Sequence, residues 1–167
     1  DLKLARAAEE LAERLHDRYM AKVGNVTIDE VQATFHRAGE AYELAASAVA
    51  PERGADALWR SIQCFLAAKD NGLAQKNLLE HVKIEKNELR LAEAYFVLGD
   101  LYRAQKESTA ARDAFIKCIE IPDTPFVSRA RYFLALDEFD KKAYDKALII
   151  LKQNLQDDSP TFDRTAY

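Results

Sequence analysis

Residues 92–122 read AEAYFVLGDLYRAQKESTAARDAFIKCIEIP, and this stretch decides the fold. Tyr95, Leu98, Gly99 and Tyr102 are offset by 3, 4 and 7 residues, which puts them on one face of a helix. Ala111, Phe115, Cys118 and Ile119 form a second such stripe. Between them lies a short polar turn. Ser108 stands where the second helix should begin, with a hydroxyl able to accept a bond from an otherwise unpaired amide. Pro122 closes the unit, because it has no backbone N–H to donate. A helix pair of this size cannot bury its apolar face alone and needs neighbours of its own kind.

Working outward, the same pattern returns. Small residues recur at Ala38, Ala74, Ala111 and Ala147, spaced by 36, 37 and 36 residues. Tyr42, Leu78, Phe115 and Leu151 repeat at the same spacings, as do Ala46, Val82, Ile119 and Leu155. A small residue in the first column suits a point where two helices approach closely. The turn signals between them predict eight helices. The first covers 2–23, with Leu4, Ala8, Leu11, Leu15 and Tyr19 as its apolar stripe, and Gly24-Asn25 breaks it. Thr27 with Glu30 has the capping-box form and starts the second, which runs to about Val49. The third and fourth fall at about 55–68 and 73–86, separated by Asp70-Asn71-Gly72. The fifth and sixth are the pair quoted above. Thr124-Pro125 supplies a cap and a first-turn proline for the seventh, about 125–140, and the eighth runs over about 143–156.

The 92–122 stretch resembles a tetratricopeptide (TPR) repeat, a family built from helix pairs of about 34 residues. Counting from Ala92, the large fourth residue is Tyr95, the Leu-Gly pair is Leu98-Gly99, the following Tyr is Tyr102, and the small and aromatic residues of the second helix are Ala111 and Phe115. Cys118 replaces the usual small Ala. The resemblance implies an all-α, right-handed superhelical solenoid of antiparallel helix hairpins. Residues 1–50 would form an atypical N-terminal hairpin, and 51–87, 88–123 and 124–158 three TPR-like repeats. Residues 159–167 would start a further helix, since Ser159-Pro160 reads as another cap and Ala166-Tyr167 as its third and fourth positions. Phe35, Ala38, Gly39 and Tyr42 also fit the spacing of a first helix. That pairing would leave an odd helix before residue 88, so helix two is taken as the partner of helix one.

Composition narrows the function. The formal net charge is −4 with no concentrated run of Lys or Arg, which weighs against nucleic acid as partner. No apolar run approaches the ~18 residues needed to cross a bilayer. Cys64 and Cys118 are isolated on apolar faces and read as small buried hydrophobes. The chain starts at Asp1 rather than at Met and reads as a processed product or a piece of a longer polypeptide. The compartment stays open between cytosol and bacterial envelope.

Phosphate-loop, zinc-protease, nucleophile-elbow and EF-hand motifs are all missing from the sequence. His16, His36 and His81 stand on different helices and read as surface or interface residues, with no metal or other cofactor implied. Glu9, Glu10 and Glu13 read as a solvated face. Ser61 and Cys118 have no base that the sequence places beside them. The expectation is a non-catalytic scaffold that holds a protein or peptide segment. In TPR-like first helices, the stripe next to the packed face lines a concave groove. Here that stripe is Trp59, Gln63 and Leu66, then Phe96, Asp100 and Arg103, then Tyr132, Leu136 and Phe139. The aromatic column Trp59, Phe96 and Tyr132 is expected to be accessible to a partner. The Lys and Asn pair with which chaperone-binding TPR domains clamp a free C-terminal carboxylate is absent from every repeat. The alternatives are self-association through the ends and convex face, or a regulatory arm of an enzyme whose catalytic part lies elsewhere.

Overall fold

The computed structural model describes residues 2–156. Among them are eight helices and no strand: α1 (Leu2–Met20), α2 (Ile28–Ser47), α3 (Pro51–Ala67), α4 (Asn71–Ile84), α5 (Glu88–Ala104), α6 (Ser108–Ile119), α7 (Phe126–Asp140) and α8 (Tyr144–Gln156). The periodicity therefore locates every one of these helices. The helix start expected at 159–167 lies outside the described residues.

Helix ends follow local chemistry in some places and depart from it in others. Thr27 and Glu30 form the full capping box. Asp70 and Asn87 each accept from the amide three residues on. Ser108 is not a cap: Glu107 holds that position without a side-chain bond, and Ser108 is already inside α6. Thr124 is not a cap either. Pro125 precedes α7, and the Thr124 hydroxyl is buried.

One turn recurs. Lys22, Lys69, Lys106 and Lys142 each follow an odd-numbered helix in the left-handed conformation, with φ of 54°, 61°, 64° and 61°. After each, the next amide donates five residues back: Val23 to Arg18, Asp70 to Phe65, Glu107 to Tyr102 and Ala143 to Glu138, all at 2.9 Å. This is the Schellman closure, which satisfies carbonyls at the end of a helix and usually places glycine where these lysines stand. Lys69, Lys106 and Lys142 are 37 and 36 residues apart, so the turn shares the period of the alanine column. All four alanines of that column, Ala38, Ala74, Ala111 and Ala147, are buried.

The helices fall into two compact units, one ending at Glu85 and the other beginning at Lys86. In the first, α2 packs on both α1 and α3, and α3 packs on α4. Its core includes Ala5, Ala38, Tyr42 and Cys64. α1 faces α2 through Ala5 and Ala12, and it leaves Leu4 and Leu11 of the expected stripe exposed. The small side chains let the two helices come close, and a second attachment holds them: Glu9, far from solvated, accepts from the Tyr42 hydroxyl at 2.6 Å and pairs with Arg60 of α3 at 3.3 Å. Gly39 meets the Phe65 ring so closely that a Cβ would lie 2.8 Å from it. The spacing of Phe35, Ala38, Gly39 and Tyr42 thus marks a close approach of α2 to α3. Ser61 donates to the Gly39 carbonyl at 2.8 Å and accepts from Asn77 at 3.0 Å, a buried polar thread through α2, α3 and α4.

In the second unit, α5 packs on α6 and α7, α6 on α7, and α7 on α8. Gly99 repeats the role of Gly39, since a Cβ there would lie 2.5 Å from the Phe115 ring. Phe115 in turn stacks on Phe133 at 5.2 Å. Ala92, Ala111, Ala130, Cys118 and Leu134 complete this core.

Candidate protein-interaction face

The nine residues of the expected groove divide between core and surface. Trp59 is only 9% exposed, and its ring stacks on His81 at 5.1 Å. His81 is fully buried rather than superficial, with Nε2 3.1 Å from the Glu85 carboxylate. Phe96 is 6% exposed and lies among Phe115, Phe126 and Phe133, with ring centroids 5.8–6.0 Å away. The expected accessible column therefore fails at its first two members. Each ring finds an aromatic neighbour inside its own unit, and burying such a side chain is worth about 1.5–3 kcal/mol. Gln63 is exposed and Leu66 half-buried.

The remaining residues stay at the surface of the second unit. Tyr132 and Leu136 are each 37% exposed and Phe139 is 56% exposed. They form one stripe along α7, and Phe139 meets the exposed Tyr144 edge-on at 5.2 Å. This orientation requires Arg131 and Glu138 to turn inward, and both are accommodated. Glu138 is buried and receives a bond from Arg112 of α6. Arg131 reaches toward the Asn154 side-chain oxygen, while Asn154 donates to the Ser128 carbonyl at 2.8 Å. A buried carboxylate with a guanidinium partner is tolerable where a lone one is not. Both charged residues thus have partners within the unit, while Tyr132 and Phe139 remain exposed.

Beside the stripe is a cavity of about 170 Å³ lined by Arg103, Arg112, Phe115, Phe133, Leu136 and Asp137, among others. Arg103 lies over the Phe133 ring at 4.5 Å and is held by Asp100 at 2.8 Å. Arg112 pairs with Asp137 at 2.9 Å. Burial would push the Asp137 carboxyl up, but hydrogen bonds from Lys141 and Arg112 outweigh it and hold the group below its ordinary range. Asp100, Arg103 and Leu136 of the expected stripe thus sit on or beside one apolar-floored, charge-rimmed depression.

The nucleophile candidates are placed for packing. The Ser61 hydroxyl proton is directed at a carbonyl. Burial pushes the thiols of Cys64 and Cys118 up to about 12. Among the described residues no group of His, Cys, Asp and Glu is arranged to hold a metal ion, and no helix is long and apolar enough to cross a membrane. Sequence reasoning missed the Glu9–Tyr42–Arg60 cluster and the inward Arg112–Glu138 pair. The second was signalled by a charged residue at each of two positions 26 apart, a spacing that only the packing of α6 on α7 makes meaningful.

No protein-family model, curated protein or solved structure matches the chain.

Proposed function

We propose that this chain is a non-catalytic helical-repeat scaffold that holds a segment of a partner protein against α7. The observation that carries this reading is the exposed stripe of Tyr132, Leu136 and Phe139 beside an apolar-floored cavity. A contiguous exposed apolar patch commonly marks an interaction site. The proposed architecture is a right-handed solenoid of TPR-like hairpins. It is supported by the buried alanine column, by the glycine–phenylalanine approach at Gly99, and by the lysine-closed turns at matching intervals. The test is site-specific photocrosslinking from positions 132, 136 and 139, with positions 59 and 96 as buried controls. A partner captured from the α7 positions, and lost in Phe139→Ser, supports the reading. Capture that is indifferent to that substitution removes it.

A second reading is favoured by α8. Tyr144, Leu148, Leu151 and Leu155 lie on one helical face and are exposed, Leu155 by 81%. That surface suits self-association. Sedimentation over a range of concentrations tests it, with Leu148→Glu/Leu155→Glu expected to abolish any larger species.

A further inference from the structure

The α7 stripe has a charged end. One turn before Tyr132, at a spacing of three residues, stands Arg129. It is exposed, and its guanidinium lies over the Phe96 ring at 4.4 Å. Two other arginines of this unit, Arg103 and Arg112, are already engaged by Asp100 and by Asp137 with Glu138. Arg129 is different, for no carboxylate of the described residues pairs with it. Stacking on a ring restrains a guanidinium while leaving its donor edge open, and that edge matches a carboxylate bidentately.

Resting on the reading of α7 as the binding face, we infer that the segment it holds carries a carboxylate next to its apolar residues, and that this carboxylate docks on Arg129. From Arg129 to Phe139 the helix rises about 15 Å. An extended peptide covers that distance in about five residues, and its alternate side chains share one face. The fitting pattern is an acidic residue followed at alternate positions by two large apolar residues. The carboxylate would then meet Arg129 while the apolar pair covers Tyr132, Leu136 and Phe139.

The experiment uses labelled synthetic peptides in a Gly/Ser background, of the form Asp-x-Leu-x-Phe, with Lys-x-Leu-x-Phe and Ser-x-Leu-x-Phe as counterparts. Fluorescence anisotropy is read against the whole chain. The expected order is Asp over Ser over Lys, with about a tenfold gap between Asp and Lys, which corresponds to about 1.4 kcal/mol. Arg129→Gln should level the series and Arg129→Glu should reverse it. Unchanged far-ultraviolet circular dichroism in both variants would exclude a folding defect. Equal binding of the three peptides, or an order unmoved by Arg129→Glu, overturns the inference. If Phe139→Ser still weakens all three equally, the face stands and only its charge preference is wrong. If no peptide binds, or binding ignores Phe139→Ser, the α7 reading falls with it.

Discussion

The Tyr42 hydroxyl donates to the Glu9 carboxylate at 2.6 Å, joining α2 to α1, and the same carboxylate pairs with Arg60 of α3. One side chain thus ties three helices. Burial, with Glu9 beside it, pushes the Tyr42 phenol well above its ordinary value. A phenol raised in the folded state contributes stability that is complete below its unfolded value, about pH 10, and is lost as the pH climbs past it. Tyr42→Phe should therefore cost about 1.5–3 kcal/mol in urea titrations at neutral pH, the range for hydrogen bonds to charged groups. It should also blunt the loss of stability above about pH 10. An alkaline profile identical to wild type would show that Tyr42 does not carry it.

Gly99 has no room for a methyl group against Phe115. Gly99→Ala should destabilise by about 1–3 kcal/mol, as overpacking does. Phe115→Leu shortens the opposing side chain, so the double variant should lose less than the sum of the two. A strictly additive pair in a double-mutant cycle would place the strain elsewhere.

The lysine turns make an inverted prediction. An L-residue in the left-handed region costs about 1–2 kcal/mol, and Gly avoids that cost at the expense of a freer unfolded chain. Lys106→Gly should be neutral to stabilising, by up to about 1 kcal/mol. Loss of more than about 0.5 kcal/mol on thermal unfolding would mean that the Lys106 side chain has a role its backbone conformation does not reveal.

The split between buried and exposed rings is directly measurable. Phe96→Ala should cost about 3–5 kcal/mol, and Phe139→Ser should stay within about 0.5 kcal/mol of wild type. Comparable losses at both positions would erase the distinction between core and binding face.

Acid should act through Asp137. Its carboxyl is held below the ordinary range chiefly by Lys141 and Arg112, against burial. A lowered carboxylate contributes stability that is present above its unfolded value, about pH 3.9, and is lost as the pH falls below it. Asp137→Asn should lower stability at neutral pH and flatten the decline below about pH 4. An unaltered acid limb would assign the decline to other carboxylates.

Helix positions were legible because alternation at helical spacing, glycine, proline and the Thr27–Glu30 box are local signals. The alanine column was legible because close approach leaves a size restriction at regular intervals. Which side of a helix stays open was not. Trp59 and Phe96 carry the same spacing as Tyr132, and burial of the first two depends on His81 and on Phe126 and Phe133, residues distant in sequence. Glu9 was misread for the same reason. Nothing adjacent to it in the chain announces Tyr42 or Arg60, and a carboxylate among other carboxylates looks solvated until a neighbouring helix arrives.

The stacked pair in the first unit has a practical consequence. Trp59 is the only tryptophan of the chain, and it rests on His81 within the unit that ends at Glu85. Intrinsic indole emission will therefore follow the loosening of that half alone. A denaturation curve recorded at such wavelengths could be complete while α5 to α8 are still folded, so the melting of those helices needs a separate optical probe.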